Sequence, residues 1–85
     1  MKLRFTKSFD AEYRKITRGN VKLQRKIKRQ LVRLRQDLTH PSLRLHKLHS
    51  SPWWSASVDK SIRILLIIDT DGIYVYHIGK HEDVY

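Results

Sequence analysis

Arg63 is the first side chain whose position in this sequence points to chemistry, because it interrupts the apolar run from Ile62 to Ile68. A guanidinium buried without a partner costs free energy, so Arg63 must either pair with a carboxylate or face a polar groove. Asp59 and Asp69 are the carboxylates nearest to it in the sequence. In a groove, its planar fork would match the oxygens of a phosphate group. Position alone favours neither arrangement.

The segment 81–85 carries a second set of reactive side chains, His81 and Tyr85. An imidazole transfers protons near neutral pH, and a phenol stacks on a base or donates a hydrogen bond. If the segment turns helically, the two side chains share one face. The alternative is a solvated segment in which His81 has no chemical role.

A third set lies in the loop just before the predicted sheet: Arg44, His46, Lys47 and His49. Loops held by a rigid scaffold often carry functional side chains. The alternative is an ordinary surface loop anchored by its three leucines. The spacings of His46 with His49, and of His77 with His81, also occur in zinc sites. Because the chain has no cysteine and few carboxylates near these histidines, we expect no metal site.

The composition excludes several other classes of protein. The 85 residues are enough for one small domain, residues 1–85. The absence of cysteine excludes a disulfide framework and a thiolate nucleophile. No apolar run approaches the roughly 20 residues of a membrane span, and residues 1–5 lack the apolar region of a secretory signal. A cytoplasmic protein without membrane contact is therefore expected.

The charge is unevenly distributed along the chain. Residues 1–49 hold 15 basic and 3 acidic side chains, whereas residues 50–85 hold 3 basic and 5 acidic ones, for a formal net charge of +10. A solubilising surface is one explanation. Self-repulsion of this size opposes compaction, however, so a polyanion or an acidic protein partner is the better one.

Periodicity predicts the elements that position these side chains. A short strand over residues 2–6 precedes a helix capped by Ser8, and Gly19 with Asn20 separates it from a second helix over residues 21–38. A loop, residues 39–52, leads to strands over 53–59, 62–69 and 73–78. The fold class is α+β: a small twisted, mainly antiparallel sheet, with an N-terminal strand, a two-helix hairpin packed on one face and a C-terminal three-strand meander.

In this order of elements, three local patterns resemble the RelE/ParE superfamily of bacterial toxins from toxin–antitoxin systems, specifically the RelE-like ribosome-dependent mRNA endonucleases. The patterns are His40–Leu48 before the sheet, Ser61–Leu65 in the central strand and Ile78–Tyr85 at the end. The resemblance implies a sheet whose open face binds mRNA on the ribosome. It also implies cleavage by attack of the 2′-OH on the adjacent phosphate, without a metal or other cofactor.

The resemblance assigns roles residue by residue. Arg63 matches the arginine that contacts the phosphate and the transition state, His81 a general acid or base, and Tyr85 an aromatic that stacks or assists proton transfer. Lys47 matches a basic position before the sheet, and His46 and His49 fall where some members place a further catalytic histidine. Three residues are expected to bind RNA: Arg44, His49 and Lys80. The implied partners are a cognate antitoxin, the ribosome and mRNA.

Two other functions remain open at this point. A ParE-like inhibitor of DNA gyrase would bind a protein and perform no RNA chemistry. A non-enzymatic nucleic-acid-binding module would use the second helix as a basic surface. Such a module explains the charge but leaves Arg63, His81 and Tyr85 without a purpose.

Overall fold

The computed structural model describes residues 2–81, so the predicted role of Tyr85 lies outside the described residues. The elements are, in chain order, β1 (Leu3–Phe5), α1 (Lys7–Thr17), α2 (Val21–Gln36), a 3₁₀ turn (Pro41–Leu43), β2 (His46–Lys47), β3 (Trp54–Ser57), β4 (Ile62–Asp69) and β5 (Gly72–Lys80). They form one five-stranded sheet of order β1-β5-β4-β3-β2. β1 runs parallel to β5 and the other pairs are antiparallel, which confirms the predicted α+β class.

The first helix begins earlier than the sequence predicts. Thr6, not Ser8, is the N-cap, and its hydroxyl oxygen accepts the Phe9 N–H at 3.1 Å. The same hydroxyl donates to the carbonyl oxygen of Tyr76 in β5 at 2.7 Å. Ser8 lacks this second bond because it already lies within the helix, so the contact with β5 selects Thr6 as the cap.

The second helix begins as predicted, since Asn20 caps it by accepting the Leu23 N–H at 3.0 Å. Gly19, with φ of 69°, makes the turn between the two helices. The helix ends at Gln36, two residues early, because Asp37 is extended and its carboxylate accepts from the Thr39 N–H and hydroxyl. Neither helix within residues 2–81 is long and apolar enough to cross a membrane.

The predicted loop 39–52 contains an additional strand, β2, which pairs with β3. The C-terminal meander therefore has four strands instead of three. Alternation predicts strands poorly at this length, because two paired residues carry no readable period.

The core lies between the helices and one face of the sheet. Ile62, Ile64 and Leu66 of β4 belong to this core, whereas Arg63 and Leu65 do not. Successive strand residues point to opposite faces, so Arg63 and Leu65 lie on the other side of the sheet, here called the open face. Helices α1 and α2 thus both pack on the core face, as the sequence predicts.

Candidate phosphate-binding site

Arg63 lies on the open face in the second position of β4. Its cross-strand neighbours are Ser57 on β3 and Gly79 on β5. Its Nε and NH1 atoms are buried and have no hydrogen-bond partner within residues 2–81. A buried guanidinium without acceptors is unfavourable, so this arrangement favours an anionic ligand that supplies them.

The alternative in which Arg63 pairs with a nearby carboxylate is wrong for both candidates. Asp59 accepts instead from the backbone N–H groups of Ser61 and Ile62, at 2.9 and 2.8 Å. Asp69 accepts from the Thr70 N–H at 2.7 Å. Each carboxylate therefore accepts hydrogen bonds from backbone N–H groups a few residues away in its own turn. Such local bonds compete successfully with a partner that is more distant in the chain.

Arg63 lines a cavity of about 450 Å³ between α2, the segment after it and the β3–β4 turn. Six of its lining side chains are cationic: Lys26, Arg29, Arg33, Arg44, Lys60 and Arg63. Asp59 is the one acidic side chain among the described lining residues. Clefts lined by one sign of charge concentrate counter-charged ligands, so the cavity suits a polyanion.

Gln30 holds this cavity together, and the sequence reading missed it. The buried Gln30 amide donates to the carbonyl oxygens of Ser57 at 2.7 Å and Ser42 at 3.2 Å. Its own oxygen accepts from NH1 of Arg33 at 2.9 Å, which fixes that cation at the cavity wall. The signal was present: Gln30 interrupts the apolar stripe of α2 between Ile27 and Leu34, and a polar residue there needs buried partners.

Asp59 lines the cavity and has a lowered pKa. Burial acts to raise this pKa, but the N–H groups of Ile62 and Ser61, the Ser61 hydroxyl and the charge of Lys26 together outweigh it. A carboxylate whose pKa is lower in the folded than in the unfolded state stabilises the fold above its unfolded pKa. That contribution is lost as the pH falls through the folded pKa.

We therefore expect Asp59→Asn to destabilise the chain by about 1 kcal/mol at neutral pH, because charge-assisted hydrogen bonds become neutral ones. The difference from wild type should shrink progressively below about pH 4, where the unfolded carboxyl is protonated. Urea unfolding of both proteins between pH 7 and pH 2.5 measures it. A difference that is the same at every pH would show that the charge of Asp59 contributes nothing.

His81 directly follows β5, near the same end of the sheet as Arg63. Its backbone N–H donates to the carbonyl oxygen of Ser61 at 2.9 Å, and its side chain is exposed. Gly79 is the cross-strand partner of Arg63, so His81 lies two residues beyond that partner. This proximity fits the role that the resemblance assigns to His81, which stays a prediction.

The residues before the sheet divide between the two faces. His46 pairs with Ser55, which in turn pairs with Leu65, so His46 belongs to the open face. Lys47 pairs with Trp54, a residue packed against the core, and therefore lies on the face opposite Arg63. The catalytic role of Lys47 stays a prediction, and its position on the face opposite Arg63 does not favour that role.

The three predicted RNA-binding residues also differ in position. Arg44 lines the cavity, in a left-handed conformation with φ of 43°. Lys80 pairs with Ile62 of the core-facing row, so it does not share the face of Arg63. His49 is exposed in the turn after β2. Within residues 2–81 no group of three His, Cys, Asp or Glu side chains that could hold a metal ion comes together.

A pairing between His77 and Glu12 was not expected from the sequence. Nδ1 of His77 lies 3.2 Å from Oε1 of Glu12 in α1, and the same oxygen accepts the Ile78 N–H at 3.2 Å. β1 pairs with β5 only as far as Val75. Glu12 thus supplies the acceptor that a longer β1 would have supplied.

Glu12→Ala should destabilise the chain by roughly 1–3 kcal/mol, because the N–H of the buried Ile78 loses its acceptor. Glu12→Gln should cost less, since its amide oxygen still accepts. Urea unfolding compares both with Lys15→Ala, a control at an exposed position of the same helix. If Glu12→Ala unfolds at the same urea concentration as that control, the contact does not stabilise the fold.

Solved structures place this architecture among known proteins. YafQ from E. coli strain BL21(DE3) superposes with a TM-score of 0.83 at 15% identity, covering 99% of this chain and 97% of that one. The YoeB–YefM complex from Staphylococcus aureus superposes with a TM-score of 0.77 at 18% identity, covering 95% of this chain and 97% of that one. A YoeB/ParE toxin from Agrobacterium tumefaciens superposes with a TM-score of 0.79 at 18% identity, covering 95% of this chain and 99% of that one.

No protein-family model and no curated protein matches the sequence. YafQ has also been solved in a DinJ–YafQ toxin–antitoxin complex, which matches this chain with a TM-score of 0.83 at 14% identity and covers 99% of it and 96% of the other. Nearly full-length coverage in both directions excludes a match to a shared fragment. The chain therefore has the RelE/ParE-like fold of these toxins.

Proposed function

We propose that this protein is the toxin component of a toxin–antitoxin system and cleaves mRNA on the ribosome as a metal-independent endoribonuclease. The observation that carries the proposal is that Nε and NH1 of Arg63 are buried without an acceptor within residues 2–81, while the side chain lines a cavity together with five other cations. An RNA phosphodiester supplies the missing acceptors and balances the charge. The shared fold supports the same conclusion.

The chemistry needs three contributions from the protein. A base removes the proton of the 2′-OH, whose oxygen then forms a bond to the adjacent phosphorus. An acid donates a proton to the 5′-oxygen as its bond to phosphorus breaks, leaving a 2′,3′-cyclic phosphate and a 5′-OH. Positive charge stabilises the extra negative charge that the phosphoryl oxygens carry in the transition state.

The described residues offer candidates for each contribution. Arg63 is the proposed electrostatic stabiliser, with Arg44 in the same cavity as a contact to a neighbouring phosphate. His81 and His46 are the proposed proton donors and acceptors, because both lie at the open face or its end. Tyr85 is proposed to stack or assist proton transfer, and Lys47 to add positive charge.

The proposed partners follow from the charge. An mRNA and the ribosome are polyanions, and a formal net charge of +10 favours their association at low salt. A cognate antitoxin with an acidic segment is proposed to neutralise the same surface. YafQ, which has a similar fold, has been solved in a DinJ–YafQ toxin–antitoxin complex, and this supports an antitoxin partner.

Cleavage of a defined mRNA on translating ribosomes tests the function. Primer extension should show cuts linked to codons, in EDTA-treated protein as well as untreated protein, and none when translation is blocked. The 3′ ends should carry a cyclic phosphate. A parallel supercoiling assay should show no inhibition of DNA gyrase. Gyrase inhibition without RNA cuts would identify a ParE-like inhibitor, and binding without either activity a nucleic-acid-binding module.

A further inference from the structure

Three ring-bearing side chains form a cluster on the open face, outside the core: Trp53, Tyr76 and His77. The Trp53 and Tyr76 rings meet edge to face, with centroids 5.0 Å apart and an interplanar angle of 87°. The centroids of Trp53 and His77 lie 6.1 Å apart. All three residues are partly exposed.

A β-bulge makes this cluster possible. Leu65 pairs with His77 and Leu66 pairs with Val75. Tyr76 is therefore an extra residue of β5, with no partner between Leu65 and Leu66 of β4. Consecutive residues of a regular strand point to opposite faces, but a bulge redirects one of them. Both Tyr76 and His77 therefore reach Trp53. Bulges are common beside functional sites, where they aim a side chain.

The cluster lies beside a buried apolar residue and presents polar groups at its edges. Leu65, the cross-strand partner of His77, is only 6% exposed. Within residues 2–81, the Trp53 indole N–H, the Tyr76 hydroxyl and Nε2 of His77 make no hydrogen bond. An apolar platform with hydrogen-bonding groups at its edges, the Trp53 and Tyr76 donors and Nε2 of His77, is the surface that a nucleobase needs.

Glu12 fixes the orientation of the His77 ring. Its carboxylate oxygens lie 3.2 and 3.3 Å from Nδ1, which leaves Nε2 for a ligand. Arg63 lies on the same face, two residues along β4 from Leu65, the partner of His77. Two residues of a strand span about 7 Å. This separation is comparable with the size of one nucleotide.

We propose that Trp53, Tyr76 and His77 bind one nucleobase of the RNA, next to the phosphate that Arg63 contacts. The base stacks on the Trp53 indole, and Nε2 of His77 and the Tyr76 hydroxyl hydrogen-bond its edge. Glu12 is a positioning residue for His77. The identity of the ligand as RNA rests on the proposed function; the site itself rests on the geometry of the three rings.

Binding is measured with a non-cleavable RNA. In the Trp54→Phe variant, Trp53 is the single indole, and its fluorescence reports stacking directly. The probes are a 2′-O-methyl tetraribonucleotide and four versions that each carry one abasic position. We expect the complete tetramer to quench Trp53, and one abasic version to bind about tenfold more weakly despite its equal charge. Equal binding of all five probes, or no quenching by any, would overturn the base site.

Cleavage by Trp53→Ala and Trp53→Phe on translating ribosomes separates the base site from the proposed function. The alanine variant should raise KM and relax the base preference next to the cut, and the phenylalanine variant should largely restore both. An unchanged distribution of cuts in Trp53→Ala would overturn the base site but not the nuclease. Base-dependent quenching by a wild-type protein that cuts no RNA would leave the base site standing and remove the nuclease.

The role of Glu12 has its own readout. Glu12→Gln keeps an acceptor for the Ile78 N–H, so it separates ring orientation from strand stability. We expect it to weaken binding of the complete tetramer severalfold and to leave binding of the critical abasic version unchanged. A purely structural role would weaken both equally, and this outcome would remove Glu12 from the site.

Discussion

Arg63→Met should lower the rate of RNA cleavage about 10²- to 10³-fold, the typical effect of removing one electrostatic contact to a transition state. The same change should leave the chain at least as stable as wild type. The guanidinium has two buried nitrogens without acceptors within residues 2–81, so its replacement removes a desolvation cost. Methionine keeps most of the apolar stem that packs on the open face.

A lower cleavage rate combined with a higher stability distinguishes this prediction from a loss of activity caused by damage to the fold. Urea unfolding should show a free energy of unfolding raised by roughly 1–2 kcal/mol, while cleavage on translating ribosomes is nearly lost. Arg14→Met is the matched control, because it removes the same charge from an exposed position of α1. Wild-type cleavage by Arg63→Met would remove Arg63 from the site, and a large loss of stability would show that its guanidinium is paired in the free protein.

Arg63 could be found from the sequence because its signal is local. Arg63 is the one charged residue in the run Ile62–Ile68, whose other six residues are apolar. A charge does not fit the burial expected of a central strand, and this conflict is visible in the sequence itself. The two helices and the two long strands were predictable for the same reason. The apolar period of each helix repeats often enough to be recognised, and the continuous apolar run of β4 indicates a central strand.

The side chains that shape the site could not be found in this way, because their partners are distant in the chain. Glu12 meets Ile78 and His77 more than 60 residues away, and Gln30 meets Ser57 across 27 residues. Each of these side chains bonds a backbone group that has no partner in the sheet. The sequence does not show which backbone N–H or carbonyl groups lack such a partner. The pairing of Thr6 with β5 belongs to the same class, which is why the helix cap was misplaced.

The bulge explains why the aromatic cluster was also missed. Alternation alone predicts that Tyr76 and His77 point to opposite faces. It also predicts that at most one of Trp53 and Trp54 reaches the open face, and this holds, since Trp54 packs against the core. A one-residue irregularity between Leu65 and Leu66 reverses the first expectation without a recognisable signature in the sequence.

His81→Gln should reduce cleavage on translating ribosomes by about 10²- to 10⁴-fold, the usual contribution of a positioned general acid or base. Glutamine retains a polar side chain of similar size but transfers no proton at neutral pH. Because His81 directly follows β5 and lies outside the core, the variant should still unfold cooperatively in urea. A wild-type cleavage rate in this variant would exclude His81 from proton transfer.

An mRNA with sulfur in place of the bridging 5′-oxygen then separates the two possible roles of His81. A thiolate leaves without protonation, so this substrate should restore cleavage by His81→Gln if the imidazole is the general acid. If His81 is instead the base that activates the 2′-OH, the variant should stay inactive on both substrates. His46→Gln serves as the comparison, because His46 is the second proposed proton-transfer residue on the open face. Rescue of one variant and not of the other would assign acid and base within a single experiment.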